Sequence, residues 1–331
     1  MSEGRRRVLW RIAAVAFALA LAVALVWTLR RQDWTVVGAL LARRGGQEVT
    51  LLLLASLAVN VAGLAFGFLA WRVILLELGP PVAAAQVMRI FVVGFLSKYV
   101  PGKVLGLAAT ARVAHNGGVG LIRLASAGAL SMSLGLLTAL TIGLFAGAEV
   151  MGDQAGWLAL APAVLLAVLI WPQAVNRVAH LMLRVMRREP ADRMAAPRSI
   201  RLTVAWQSVS WVITGLHLWV LAVAMGAPPL RSLALTVGAF SLATAVGLVA
   251  VFTPDGIGVR EAVLTAALAV VLPVPAAAVV ALASRLVCTV AEIGMGSVAL
   301  VAVEIARRRS RAATGAAGTE ASTTTGDEQY V

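Results

Sequence analysis

Long apolar runs recur along this chain and constrain its fold more than any other feature. Residues 49–70, for instance, contain no charged side chain. A helix of that length crosses the roughly 30 Å hydrocarbon core of a bilayer. Hydrophobic residues make up 60% of the chain and charged residues 13%, against about half and a quarter in soluble domains. The sequence therefore predicts an all-α, polytopic integral membrane helical bundle.

Six stretches predict full spans: 11–29, 49–70, 121–146, 157–172, 202–225 and 276–304. Residues 1–311 are expected to form one membrane domain. The segment 312–331 has almost no large apolar side chains and predicts a disordered cytoplasmic tail. Arginines before the first run also fit a secretory or twin-arginine signal, but the run is too long for a signal core. We therefore interpret it as a retained span with its N-terminus inside.

Two further apolar stretches, 86–112 and 232–272, are interrupted by glycine, proline and charged residues. Each predicts a helix, an irregular loop and a second helix. Non-helical backbone at membrane depth is tolerated only where protein or a wet cavity satisfies it. This favours two re-entrant hairpins that line a pathway, while a surface loop between two ordinary spans is the alternative.

The net charge of +13 is concentrated between apolar runs, as in cytoplasmic loops beside anionic lipid, and predicts no nucleic-acid partner. The positive-inside rule then predicts that both termini are cytoplasmic. The hairpin at 86–112 would enter from the cytoplasm and that at 232–272 from outside, so the two would have opposite orientations. Four arginines disagree, because they would lie outside: Arg30, Arg31, Arg43 and Arg44.

Metal, redox and cofactor chemistry is not predicted. Cys288 is the only cysteine, and His115, His180 and His217 lack ligand spacing. We find no nucleophile with an adjacent base in the sequence. Two stripes of small residues predict close helix packing: Gly63 with Gly67, and Gly128, Ser131, Gly135 and Thr138.

Charges inside apolar segments are more informative, since each costs about 3 kcal/mol or more unless it faces water or a partner. These are Lys98, Lys103, Asp255, Arg260, Glu261, Arg285 and Glu292. Arg285 and Glu292 share a helix face but lie about 10 Å apart along it, so they need separate partners or an intermediate. A substrate or proton path and a structural ion-pair network are both open.

Three motifs resemble a known family: residues 99–106 (YVPGKVLG), 253–261 (TPDGIGVRE) and 284–286 (SRL). They are similar to the flippase-like transmembrane domain of lysylphosphatidylglycerol synthases and its stand-alone relatives. Asp255 departs from the family pattern, in which glycine is usual. The full-length synthases add a soluble aminoacyl-transfer domain, whereas about 20 residues follow Arg311 here. The resemblance implies the lipid-translocating part without that domain.

The leading hypothesis is therefore a flippase that moves a lipid or lipid-linked intermediate across the cytoplasmic membrane. Its partners would be lipids with anionic or zwitterionic headgroups, and homo-oligomers are left open. The alternatives are a membrane-embedded lipid-modifying transferase and an accessory subunit of envelope assembly. The expected substrate pathway comprises Lys98, Pro101, Gly102, Lys103, Pro254, Asp255, Gly256, Gly258, Arg260, Glu261, Arg285 and Glu292.

Overall fold

The structure is a computed structural model that describes residues 35–42, 44–99, 103–151, 160–175, 177, 194–250 and 256–324. Within them every regular element is helical. The helices are α1 (Thr35–Ala42), α2 (Gly45–Glu77), α3 (Ala84–Leu96), α4 (Lys103–His115), α5 (Leu121–Met151), α6 (Leu160–Ile170), α7 (Pro197–Ala224), α8 (Pro229–Val249), α9 (Val259–Leu268) and α10 (Val274–Thr324). A short 3₁₀ turn, Ser97–Tyr99, follows α3.

Five described helices are long and apolar enough to cross a membrane: α2, α5, α7, α8 and α10. Four of them coincide with the predicted spans 49–70, 121–146, 202–225 and 276–304. The predicted span 11–29 lies outside the described residues. In place of 157–172 the structure describes only α6, with 11 residues. The fifth long helix, α8, belongs to the second interrupted stretch.

The chain divides into two compact units, residues 1–80 with 122–291 and residues 81–121 with 292–331. In the first unit, α2 and α7 pack antiparallel. A Cβ at Gly63 would lie 2.8 Å from the backbone nitrogen of Thr214, and Ser210 Oγ donates to the Gly63 carbonyl at 2.7 Å. The predicted close packing is confirmed at Gly63, where only glycine permits this backbone approach, whereas a Cβ at Gly67 would meet only Ser210 Oγ, at 3.2 Å.

The second small-residue stripe is confirmed in part. Trp211 Nε1 of α7 donates to the carbonyl of Gly135 at 3.0 Å and lies 3.1 Å from Thr138 Oγ1. A Cβ added at Gly128 would meet nothing within 4 Å. Only the C-terminal half of the stripe therefore contributes to this helix contact.

Both ends of α7 are bound by side chains close to the ends of α2. Glu77 Oε2 accepts from Ser199 Oγ at 2.8 Å at the N-terminus of α7. Arg44 donates to the Val223 carbonyl at 2.7 Å at its C-terminus and pairs with Glu48. The two charges have the signs that a helix dipole favours. This contact gives Arg44 a structural role, despite its position against the positive-inside rule.

In the second unit, α3 and α4 form an antiparallel hairpin. Gln86 Nε2 donates to the Val113 carbonyl at 2.7 Å, and at the other end a Cβ on Gly106 would meet Ser97 at 2.7 Å. Each helix has 13 residues and is about 20 Å long. The predicted helix, break and helix in 86–112 is confirmed, while Pro101 and Gly102 lie outside the described residues.

The stretch 232–272 is likewise divided, into α8 and α9. The apolar core of the first unit contains Ala227 before α8 and Leu268 and Leu272 at the end of α9. The same cluster includes Phe240 and Ala243 within α8, so both helices of the stretch pack into one extended apolar core. Downstream, α10 continues to Thr324. The disorder expected for 312–331 stays a prediction.

Candidate functional site

The break between α8 and α9 is shaped by glycine. Gly256 and Gly258 have φ of 68° and 84°, which L side chains rarely adopt. A Cβ at Gly256 would also lie 2.8 Å from the Cα of Gly247 on α8. The break therefore packs backbone against backbone. Pro254 and Asp255 of the predicted pathway lie outside the described residues.

Glu261 connects this break to α10. Its Oε2 accepts from the N–H of Gly258, the residue that precedes α9, at 2.6 Å, which is the spacing of a helix cap. Its Oε1 accepts from Arg285 Nη1 at 2.8 Å. The Glu261 side chain is 5% exposed and that of Arg285 is 25% exposed, so the carboxylate is shielded from solvent and the guanidinium only in part.

Arg260, the neighbour of Glu261, faces a different environment. Its guanidinium lies over the Phe240 ring, 4.6 Å from the centroid, and donates to Cys288 Sγ at 3.6 Å. Among the described residues no carboxylate lies within ion-pairing distance of Arg260. Arg260 is thus a partly buried cation held by a ring and a sulfur, both weak partners for a full positive charge.

A buried polar cluster surrounds Cys288 in the first unit. It comprises Ser56 and Asn60 of α2, His217 of α7, Arg260 of α9, and Ser284 and Cys288 of α10. Asn60 Nδ2 donates to Cys288 Sγ at 3.3 Å, and His217 Nε2 lies 3.8 Å from the same sulfur. Ser56 Oγ donates to the His217 carbonyl at 3.1 Å. Three long helices and α9 thus meet around one sulfur atom.

His217 is oriented at both ring nitrogens. Nδ1–H donates to the Thr214 carbonyl, which can only accept, and Nε2 lies 2.8 Å from Ser284 Oγ. A hydroxyl beside an oriented imidazole is the arrangement of a nucleophile with its base. His217 and Ser284 are both 0% exposed, so a substrate could reach them only after the helices separate.

The second unit contains its own ion pair. Lys98 Nζ, at the end of α3, lies 2.7 Å from Glu292 Oε2 of α10 and 4.7 Å from the Phe95 ring centroid. Glu292 is buried. This pair holds the closed end of the α3–α4 hairpin against α10. Lys103 begins α4, but its side chain is not described.

The structure thus separates the predicted pathway residues into two groups. Gly256, Gly258, Arg260, Glu261 and Arg285 lie together in the first unit, and Lys98 and Glu292 lie together in the second. Of the two possibilities for Arg285 and Glu292, an intermediate or separate partners, the ion pairs show separate partners. Within the described ranges, no group of three or more His, Cys, Asp or Glu side chains could hold a metal ion.

Sequence reasoning missed Asn60, His217, Ser284 and Cys288 as a cluster. It considered the histidines and the cysteine only as metal ligands or disulfide partners. The available signal was their position, because Asn60 and His217 interrupt apolar runs long enough to span a membrane, where polar side chains are usually functional or paired.

Five long apolar helices with charged and polar side chains buried among them define a multi-pass helical membrane protein. The chain belongs to the family described as the lysylphosphatidylglycerol synthase TM region, whose model matches residues 11–293. This confirms the resemblance seen in the motifs and relates the chain to membrane domains of lipid modification or flipping. No curated protein matches the chain.

Proposed function

We propose that this protein is a flippase that moves the polar headgroup of an anionic or zwitterionic lipid across the cytoplasmic membrane. One observation carries the proposal: Arg260 is partly buried, and among the described residues no carboxylate lies within ion-pairing distance of it. A cation that is partly removed from water is unfavourable without an anionic partner. A headgroup phosphate supplies that partner, and guanidinium binds phosphate through paired hydrogen bonds.

The two interrupted stretches support a pathway. Helices α3 and α4, at about 20 Å each, are too short for a 30 Å core and lie antiparallel, which favours a hairpin that enters and leaves on one side. Helix α8 is long enough to cross and α9 is not, and both helices pack into one apolar cluster. Under the positive-inside assignment the two stretches open towards opposite sides, as alternating access requires.

The residues around Arg260 have distinct roles in this proposal. Glu261 and Arg285 fix the break to α10 and neutralise each other. Arg260 is left to exchange its weak sulfur and ring contacts for a phosphate when the bundle opens. The headgroup would thereby replace weak partners with a strong one, which offsets part of the cost of removing it from water.

A lipid-modifying transferase is the second candidate, because Ser284 and His217 form a hydroxyl–imidazole pair. Their complete burial favours a structural role for the pair. The two functions differ in product, since a flippase changes the leaflet of a lipid and a transferase changes its covalent structure. Mass spectrometry of lipids incubated with the protein and nucleotide-sugar donors separates them, because a new lipid mass appears only with the transferase.

The flippase proposal is tested in reconstituted vesicles that contain phospholipid with a fluorescent acyl chain. An impermeant reductant bleaches the outer leaflet, and further bleaching reports lipids that have crossed. We expect the wild type to accelerate crossing and Arg260→Gln to reduce the rate about tenfold, as for the loss of a charged hydrogen bond. The control is Arg198→Gln, at an exposed arginine of α7, with the wild-type rate. Equal rates with and without wild-type protein, for every lipid tried, would refute the proposal.

A further inference from the structure

The α3–α4 hairpin is held together by close contacts along its length. Gln86, near the start of α3, donates to a carbonyl near the end of α4, and a Cβ at Gly94 would lie 3.2 Å from Thr110 Cγ2. At the closed end, Gly106 packs directly on Ser97. Because the two helices are joined at both ends and in the middle, the hairpin can move as one body without losing these contacts.

The closed end of the hairpin, residues 96–98, which we call the tip, contacts α10 at two points. Lys98 Nζ lies 2.7 Å from Glu292 Oε2. One helical turn further along α10, a Cβ at Gly296 would lie 2.8 Å from Leu96 Cδ1. Gly296 has no side chain to interdigitate with Leu96, so the ion pair is the directional part of this contact.

Lys98 has partners in two different helices. The Phe95 ring, whose centroid lies 4.7 Å from Nζ, belongs to α3 and stacks on Phe91 of the same helix, so it moves together with Lys98. Glu292 belongs to α10 and does not. The Lys98 side chain is 28% exposed and that of Glu292 is 10% exposed. Water and the ring can therefore replace the carboxylate at Lys98, which lowers the free-energy cost of opening the pair.

We infer that the tip is a gate, which leaves α10 and returns in each transport cycle, and that the Lys98–Glu292 ion pair is its reversible latch. The inference rests on the proposed function and adds to it the moving part of the first interrupted stretch. An ion pair with one partner partly in water contributes little net free energy, because desolvation offsets most of the attraction. Such a pair fixes the closed position of the tip and can still open.

The first experiment measures how often the tip leaves α10. In a Cys288→Ser background, the thiol of Leu96→Cys lies at the contact with Gly296 and reacts with a maleimide in detergent when that contact opens. The reagent is dilute, so that labelling is slower than reclosing. We expect Glu292→Gln to raise the labelling rate about fivefold, the change produced by one ion pair. Arg112→Gln, which removes an exposed cation of α4, is the control and should leave the rate unchanged.

A charge exchange distinguishes a latch from a carboxylate that only supports the fold. Lys98→Met should raise the labelling rate as Glu292→Gln does. The double variant Lys98→Glu with Glu292→Lys should return the rate towards that of the parent, because the pair is restored with its charges reversed. An unchanged rate in both single variants would refute the latch, and so would a double variant that is labelled as fast as the single ones.

The second experiment tests whether the tip must leave α10 during transport. Leu96 Cγ lies 3.0 Å from the Cβ position of Gly296, and a carbon–carbon bond adds about 1.5 Å, so the two Cβ positions are at most about 4.5 Å apart. Disulfides join Cβ atoms at about 3.5–4.5 Å. In the Cys288→Ser background, oxidation of Leu96→Cys with Gly296→Cys should tie the tip to α10. We expect lipid crossing in vesicles to fall to the protein-free rate and to recover on reduction.

The matched control is a disulfide that joins the two helices of the hairpin to each other. Gly94→Cys with Thr110→Cys, at positions that are in contact across the hairpin, leaves the tip able to move, so crossing should be equal when oxidised and when reduced.

Three outcomes would contradict the inference or its premise. Equal crossing by the oxidised and reduced 96–296 variant would refute the gate and leave the flippase proposal intact. If oxidation forms no 96–296 disulfide, the close contact of the tip with α10 is wrong. Absence of crossing by the wild type would refute the flippase proposal, and the labelling rates would then decide by themselves whether the ion pair holds the tip.

Discussion

The two oxygens of Glu261 stabilise different features: Oε2 caps the start of α9 and Oε1 pairs with Arg285. Glu261→Gln keeps an acceptor for the cap but removes the ion pair, and Arg285→Gln removes the cation of the same pair. We expect each to lower the free energy of unfolding by about 1–3 kcal/mol. The double variant should lose about 1 kcal/mol less than the sum. Denaturation in detergent measures all three, and strict additivity would contradict the pairing.

Arg260 is the comparison residue for the Glu261–Arg285 double-variant test. It adjoins Glu261, but neighbours on a helix point about 100° apart, and Arg260 contacts Phe240 and Cys288 instead. Exchanging the charges at 260 and 261 should therefore not rescue the single variants. Exchange of Glu261 with Arg285 should recover part of the stability, though not the cap on Gly258. Recovery by the first exchange alone would show that the two neighbours act as a pair.

Residues near the break could be predicted because their sequence is unusual, whereas the cluster around Cys288 could not. Glycines, a proline and charges within an apolar run indicate irregular backbone without knowledge of the fold. Asn60, His217 and Cys288 are separated by 157 and 71 positions, and only the antiparallel packing of α2 on α7 and the position of α10 bring them together. Single side chains do not encode such packing, so a polar cluster in a membrane bundle becomes visible only in the structure.

At the level of helices, packing can be tested at the close contact between α2 and α7. Gly63→Val would place a Cβ against the backbone of Thr214, with only 2.8 Å between that Cβ and the Thr214 nitrogen. The clash can be relieved only if the two helices move apart. We therefore expect the free energy of unfolding to fall by about 2–3 kcal/mol or more. Gly128→Val in α5 is the matched control, since nothing lies within 4 Å there. Equal melting temperatures for both variants would be inconsistent with the close approach.

The α3–α4 hairpin closes through Gly106, where a Cβ would lie 2.8 Å from the Ser97 carbonyl oxygen. Gly106→Val should force the helices apart at the end that holds Lys98. We expect slower lipid crossing together with a lower melting temperature. Gly120→Val, which meets no atom within 4 Å, should alter neither. If Gly106→Val lowers the melting temperature but leaves crossing unchanged, the closed end of the hairpin has no part in transport.

The length of the apolar runs predicted most of the long helices, but it could not decide whether α8 crosses the membrane. Its 21 residues form a helix about 30 Å long, which matches the thickness of a bilayer core. Pro254 and the neighbouring glycines nevertheless predict a shallow hairpin. Helix length and loop composition therefore predict different depths of α8 in the membrane. The depth depends on how α8 packs against other helices, which neither sequence feature reveals. Arg44 is similar: its contact with the Val223 carbonyl depends on the position of α7, far along the chain, and charge counting could not anticipate it.

For the whole molecule, orientation follows from whether each interrupted stretch returns to the side from which it starts. The antiparallel α3–α4 hairpin favours an even number of crossings in the first stretch, and we propose an even number in the second. In the topology that we propose, Glu149 and Asp153 lie outside and the basic segment 177–201 lies inside. Shallow re-entrance and two full crossings give the same result, so this topology does not depend on the depth of α8.

Accessibility to an impermeant thiol reagent on intact cells tests this topology. The background is Cys288→Ser, which removes the only native thiol. We expect labelling from outside of Asp153→Cys and Pro229→Cys, and none of His115→Cys or Pro190→Cys until the membrane is permeabilised. Permeabilised cells, in which all four should react, are the control for folding and exposure. If the first stretch crossed an odd number of times, every loop between the stretches would change sides. External labelling at 190 with protection at 153 would therefore indicate the opposite orientation of these segments. It would contradict the opposed openings on which alternating access depends.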